Sequence, residues 1–264
     1  MTAKYDRIAA DIRRKIKAGE YPAGSQLRSE TVLSEQFRVS LPTMRKALDL
    51  LEAEGLVEKR HGIGNFVRAR RQLVRRSADR YQWEKDRVRL GEDKRRSTGA
   101  TEHDTGLTVG DLAFEAEFST VAADDDLAEA FAIRAGTPLL RRVYRTRSNR
   151  EDAPLSLIHS YLVRERIEKN PDLLRVDREP WPGGTQHQLS TIGVELDRIT
   201  DEVVARPPSP DEADALGLTP GVSVLVIRKT SYATDNTVVE VADVVLPGDR
   251  TQLVYTTKLK RWRP

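Results

Sequence analysis

Ser40, Thr43, Arg45 and Lys46 crowd one short stretch, which runs Val39-Ser-Leu-Pro-Thr-Met-Arg-Lys-Ala-Leu-Asp-Leu-Leu-Glu-Ala-Glu-Gly-Leu-Val57. Two hydroxyls, a guanidinium and an ammonium can donate to phosphate oxygens and to the acceptor edges of bases in a DNA major groove. Such groups work only if one element presents them together. Met44, Ala47, Leu48, Leu51 and Leu56 recur at helical spacing and predict a helix with one buried stripe. Ser40 can cap its start, Pro42 is tolerated in the first turn, and Gly55 suits the stop. A helix that merely presents a charged face to water carries the same inventory, so the neighbouring elements decide.

Those neighbours are informative. Tyr5, Ile8, Ala9, Ile12 and Ile16 predict an amphipathic first helix ending near Gly19. Tyr21-Pro-Ala-Gly24 reads as a turn. Arg28 and Ser29 then precede a short helix over Glu30 to Phe37, capped by Ser29, with Val32, Leu33 and Phe37 expected inward. Two short helices, the second with a basic polar start, make a helix-turn-helix pattern. Leu56 to Arg60 and Asn65 to Val67 flank His61-Gly-Ile-Gly64 and predict a β-hairpin, a wing with Lys59, Arg60 and His61 at its tip.

Charge supports the same direction. Residues 1–76 hold 17 Lys and Arg against 9 Asp and Glu, a net +8, while the remainder holds 27 against 32. A basic front joined to an acidic back suggests that the front meets a polyanion. A chance fluctuation is the competing explanation. The 264 residues allow two domains. No cysteine is present, which excludes disulfides and thiolate metal sites. No apolar run approaches the length needed to span a bilayer, and the start lacks an apolar leader. The expectation is a cytoplasmic protein with no membrane partner.

Arg68 to Arg76 is a basic run and reads as a linker, with a helix around Arg80 to Leu90 and a polar loop through Thr105. Strands are expected over Asp111–Val121, Leu139–Thr146, Leu157–Val163, Val194–Ala205, Val222–Tyr232 and Val238–Leu246, with Thr251 to Leu259 closing the sheet. Helices are expected over Asp124–Ile133, Glu165–Leu174, from His187 to Ile192, and over Ser209–Leu216. The mixture predicts an α+β domain with an antiparallel sheet. The expected organisation is a DNA-binding domain over 1–70, a charged linker over 71–105 and a second domain over 106–264.

Leu27-Arg-Ser-Glu30, Val39-Ser-Leu-Pro-Thr-Met-Arg-Lys-Ala-Leu48, Glu54-Gly-Leu-Val57 and His61-Gly-Ile-Gly-Asn-Phe-Val67 resemble the winged helix-turn-helix of GntR-family transcription regulators. Gly136-Thr-Pro-Leu139, Arg142-Val-Tyr-Arg-Thr-Arg147, Ala153-Pro-Leu155, Ser160-Tyr-Leu162, Gly221-Val-Ser-Val-Leu225, Val239-Glu240 and Asp249-Arg250 resemble the UTRA effector domain of the HutC subfamily, which has a chorismate-lyase-like fold. Trp181-Pro-Gly-Gly-Thr185 with His187-Gln-Leu-Ser-Thr-Ile-Gly193 resembles a subset that includes regulators of conjugative plasmid transfer.

The resemblance implies DNA contacts from Thr43, Arg45 and the wing glycine Gly62. With the residue chemistry it gives a candidate interface of Arg28, Ser29, Ser40, Leu41, Thr43, Arg45, Lys46, Arg60, His61, Gly62 and Gly64. Leu41 stands where the family usually has a base-reading arginine, and Arg28 where it usually has proline. An apolar Leu41 can contact a thymine methyl instead. The implied partners are palindromic double-stranded operator DNA, a small-molecule effector and a second copy of the chain.

Arg145 and Arg147 are two apart on a predicted strand and so share one face, where paired guanidiniums would hold an anionic group. A surface ladder of ion pairs explains them equally well. The resemblance implies that arginines of this motif and Glu240 line the effector cavity; Ile158 departs from the family pattern, and His159 and Tyr161 are the substitutes there. The four histidines lack metal-ligand spacing, so neither metal nor cofactor is expected. Nucleophile elbow, phosphate loop and dinucleotide fingerprint are missing, so no catalytic residue is named. A repressor modulated by an effector is the expected function. A ligand-independent repressor and a lyase-like enzyme are the alternatives; the latter rests on fold analogy alone.

Overall fold

A computed structural model describes residues 3–69, 71, 73–151 and 153–260. The chain divides into two units, one of 1–72 with 218–223 and one of 73–217 with 224–264.

The first unit begins with α1 (Lys4–Ala18), closed by Gly19 in the left-handed region. Next come α2 (Glu30–Gln36) and α3 (Leu41–Ala53), then the antiparallel strands β1 (Val57–Arg60) and β2 (Gly64–Val67). Ile8, Ala9 and Ile12 of α1 meet Leu33 of α2 and Met44, Ala47, Leu48 and Leu51 of α3 in one core, closed by Val57 and Val67. Fully burying a side chain of leucine size contributes about 1.5–3 kcal/mol, so this stripe fixes the three-helix packing. Residues 25–27 run beside β2, with Leu27 N–H on the Asn65 carbonyl at 2.8 Å and Val67 N–H on the Ser25 carbonyl at 2.8 Å.

Two local expectations change here. Val32 faces solvent, 42% exposed, while Leu33 enters the core and Phe37 packs partly buried against it. Ser40 stands at the N-cap of α3, but its hydroxyl pairs with the Thr43 hydroxyl at 2.9 Å instead of capping a backbone N–H. Ser29 does cap, accepting from Val32 N–H at 3.3 Å.

The second unit opens with β3 (Val74–Ser77), α4 (Asp79–Arg87), α5 (Glu92–Arg96) and α6 (Ala100–Thr105). The expected polar loop is thus two helices, fastened by charge. Buried Arg80 pairs with Asp104, and Arg87 donates to the carbonyls of Arg95 and Thr98. Then follow β4 (Leu112–Ala122), α7 (Asp125–Phe131), β5 (Pro138–Ser148), β6 (Ser156–Val163) and α8 (Arg164–Ile167). The predicted helix to Leu174 breaks here, because Asn170 and Pro171 start a separate 3₁₀ turn. The remaining elements are α9 (Gly184–Ser190), β7 (Leu196–Arg206), α10 (Pro210–Ala215), β8 (Val224–Ala233), β9 (Val238–Pro247) and β10 (Thr251–Val254).

Six strands form one antiparallel sheet in the order β4-β5-β6-β9-β8-β7. The last strand does not close it. β10 pairs in parallel with β3, residue Thr251 against Val74. One face of the sheet packs α7, burying Leu127, Ala128 and Phe131 on Leu139, Val163 and Val241. The other face carries Leu140 and Leu162 under Leu173 and Leu189. Both faces of the central strands are therefore covered.

Candidate nucleic-acid interface and effector site

Most candidate DNA contacts lie on the surface of the first unit. Arg28, Ser29, Ser40, Arg45, Lys46, Arg60, His61 and Gly62 are exposed, and Leu41, Thr43 and Gly64 are half-buried. Several are already engaged. The Arg45 guanidinium, 58% exposed, donates to Glu30 at 2.7 Å. The Lys46 ammonium lies 4.3 Å from the Tyr5 ring, and the Arg60 guanidinium 4.3 Å from the Phe66 ring. These surface contacts are weak and can be exchanged for phosphate contacts at little cost.

In the wing, Lys59 turns away from the tip onto Asp49 and Glu52 of α3, because its strand register faces the helix. The tip is His61, Gly62 and Ile63, and Ile63 is 66% exposed, an apolar contact that charge-based reading missed. Gly64 holds φ 140°, and a Cβ there would lie 2.7 Å from the Gln26 amide nitrogen, which itself bonds the Ile63 carbonyl. The wing base therefore requires glycine.

The five candidate effector residues do not converge. Strand register puts Arg145, Arg147, His159 and Tyr161 on the α7 side of the sheet and Glu240 on the opposite side. Arg145 pairs with Glu117 at 2.8 Å, the ion-pair alternative, and lines a cleft with Arg147, Glu115 and Asp214. His159 Nδ1 lies 3.1 Å from the Arg141 guanidinium, and burial followed by Arg141 and Arg145 lowers its pKa. Tyr161 packs beside the α7 cluster.

Glu240 meets Arg142 instead, an arginine of the same motif but of opposite phase. They are 3.1 Å apart, with side chains 1% and 2% exposed. Ser160 donates to the same carboxylate oxygen at 2.7 Å, and Lys229 holds the other at 2.8 Å. Burial alone would raise the Glu240 pKa, but Lys229 and Arg142 hold it at about 2. Arg142 also donates to Gln188 at 2.6 Å and Thr185 at 3.2 Å, both from α9. Tyr144 donates to Glu179 at 3.0 Å, and burial pushes its hydroxyl pKa well up. Arg142, Tyr144, Ser160 and Gln188 stand in the motifs quoted above but were not singled out as site residues, and Lys229 and Glu179 were not named from sequence. The signals were the motif resemblance and, for Arg142 and Tyr144, the period-two spacing that puts them on the strand face opposite Arg145 and Arg147.

Among the described residues no group of acidic, histidine or cysteine side chains is placed to hold a metal, and no helix is long and apolar enough to cross a membrane.

Comparison with known proteins gives a consistent picture. Residues 4–67 match the model of bacterial regulatory proteins of the gntR family, and residues 115–252 match the UTRA domain. An HTH-type transcriptional regulator of Streptomyces coelicolor is 31% identical over 97% of this chain and 93% of its own. The HTH-type transcriptional repressor NagR of Bacillus subtilis is 24% identical over 95% of this chain and 93% of its own. The crystal structure of a GntR-family transcriptional regulator, 30% identical, superposes with a TM-score of 0.64 over 98% of this chain and 99% of that one. These relatives are transcription regulators, not enzymes.

Proposed function

This chain belongs to the GntR family of bacterial regulatory proteins, a transcriptional regulator with a UTRA effector domain, and from that premise we propose that it is a repressor whose operator affinity is set by a small molecule bound on the inner face of its sheet, the face packed under α9 and opposite α7. DNA binding is assigned to residues 1–70 and effector binding and dimerisation to 106–264, with 71–105 as the connecting segment. The Trp181 loop motif is the basis for placing it near the HutC-type regulators of plasmid transfer. The protein works in the cytoplasm, where operator DNA is found.

One observation carries the effector assignment. A sheet face packed under α9 is most stable when apolar, yet Arg142, Ser160, Lys229 and Glu240 are brought together there. Burying such groups is often no better than burying a hydrophobic isostere, so their presence there points to ligand recognition. A ligand can alter DNA affinity only if it binds the two arrangements of the DNA heads differently. Titrating the purified protein against its own upstream DNA, with thermal unfolding measured with and without that DNA, tests the operator half. Arg142→Gln tests the effector half: it is expected to abolish effector response while the protein still retards operator DNA in a gel.

A further inference from the structure

The inner face is electrically divided. Arg142 and Lys229 both close on Glu240, at 3.1 and 2.8 Å, so that end keeps one positive charge in excess. The balancing negative charge is Glu179, half-buried and held by neutral donors: the Tyr144 hydroxyl at 3.0 Å, the Gln188 amide at 2.8 Å and the Trp181 backbone N–H at 2.7 Å. No described cationic side chain forms a salt bridge with it. Gln188 bridges the two ends. Its carbonyl accepts from Arg142 at 2.6 Å while its NH₂ donates to Glu179. That orientation is forced, since a guanidinium only donates and a carboxylate only accepts. The amide thus stands in the place of a molecule with an acceptor toward Arg142 and a donor toward Glu179. The Arg142 Nε is buried and lacks a hydrogen-bond partner, a donor the amide leaves unused. Phe114 and Phe118 lie beside Tyr144, with ring centroids 5.5 and 6.2 Å away.

From this juxtaposition we infer that the effector is a zwitterion of amino-acid type, with its carboxylate on Arg142, its ammonium on Glu179 and an apolar or aromatic side chain against Phe114, Phe118 and Tyr144. The inference rests on the inner face being the effector site. Net charge selects among ligand classes. A zwitterion leaves the four-charge network neutral. A phosphate ester or simple carboxylate adds uncompensated negative charge to a buried site, and a simple amine adds positive charge. An ammonium beside Tyr144 also gains from the ring face. The ligand displaces Gln188. Two residues earlier in the same helix, Gln186 donates to the Tyr81 carbonyl in α4 at 3.0 Å. Displacement is thereby felt in the segment that leads back along the chain to the DNA-binding unit.

The test uses the full chain and three matched compounds at pH 7: L-phenylalanine, phenethylamine and 3-phenylpropionate, followed by calorimetric titration. L-phenylalanine is expected to bind at least tenfold more tightly than either singly charged analogue. Glu179→Gln should erase its advantage over 3-phenylpropionate, with circular dichroism reporting that the variant is folded. Gln188→Ala, which removes the competing amide, should tighten L-phenylalanine; weakening there counts against the displacement. If either singly charged analogue binds wild type as well as L-phenylalanine does, the zwitterion class is overturned while the inner-face site stands. If none of the three binds with a dependence on Arg142 or Glu179, the inner-face reading falls with it.

Discussion

Arg142 and Glu240 lie 98 positions apart in sequence and on strands separated by β6, yet their charged groups meet at 3.1 Å with almost no exposure. Ser160 of the intervening strand completes the contact. Removing one partner leaves a buried charge behind. Glu240→Ala is therefore expected to destabilise the second unit by about 3–5 kcal/mol in urea unfolding. A loss below about 1 kcal/mol would mean that Arg142 and Lys229 find other anions at once.

Acid should weaken the fold through the same group. Glu240 titrates at about 2 in the folded chain, against an ordinary value of 4.5. A lowered carboxylate pKa stabilises fully above the unfolded value and is lost as pH falls from about 4.5 toward 2. Glu212 behaves alike, its pKa lowered to about 2 mainly by the Arg206 hydrogen bond. The urea midpoint should drop between pH 5 and 3, and Glu240→Gln should flatten that slope without abolishing it. An unchanged slope in the variant removes Glu240 as the cause.

On the DNA side, Arg45→Ala should weaken operator binding by about 1–3 kcal/mol. Stability should hardly move, because the exposed Arg45–Glu30 pair contributes about 0–1 kcal/mol. Gel retardation with circular dichroism reads both. Equal affinity in the variant takes Arg45 out of the interface.

Binding should also fall steeply with salt, since each neutralised phosphate releases counterions with a slope of about −0.9 per contact. A flat response between 50 and 200 mM salt, about a 10³-fold loss being expected for six contacts, would contradict a DNA role for the basic front of the chain.

The two arginine sets can be separated. Arg145→Ala with Arg147→Ala changes the α7 side of the sheet and should leave effector response intact, whereas Arg142→Gln should remove it. The reverse result would move the effector site to the cleft beside Asp214.

A homodimer is expected, because one recognition helix reads too few base pairs to select a genomic site, and two-fold symmetry doubles the readout. β8 and β9 are interior strands, so their edges are already paired; β4 and β7 are the open edges of the main sheet. Light scattering should give twice the chain mass. A monomer at micromolar concentration that still binds a half-site tightly would sink the idea.

Sequence by itself determined whatever depends on neighbours a few residues away. The stripe from Ile8 to Ile12, the Ser29 and Ser209 caps, the α3 stripe and the wing glycines all follow from helical period, capping and allowed backbone dihedrals. The antiparallel α+β character followed from alternation and turns, including Asn236 at φ 68° between β8 and β9. Tertiary structure alone decided which strand face became the site. Leu139 and Leu140 are both buried, on opposite faces, so period two showed that Arg145 and Arg147 share a face and that Arg142 and Tyr144 share the other, without saying which face meets Glu240. Pairing of β10 with β3 joins residues 177 positions apart, as Thr251 to Val74, and no local pattern encodes a partner that distant. The segment 71–105 read as a charged linker carrying one helix until Asp104, Glu84 and the carbonyls of Arg95 and Thr98 supplied partners for Arg80 and Arg87, because a charge is buried only where the folded chain delivers its counter-charge or acceptor.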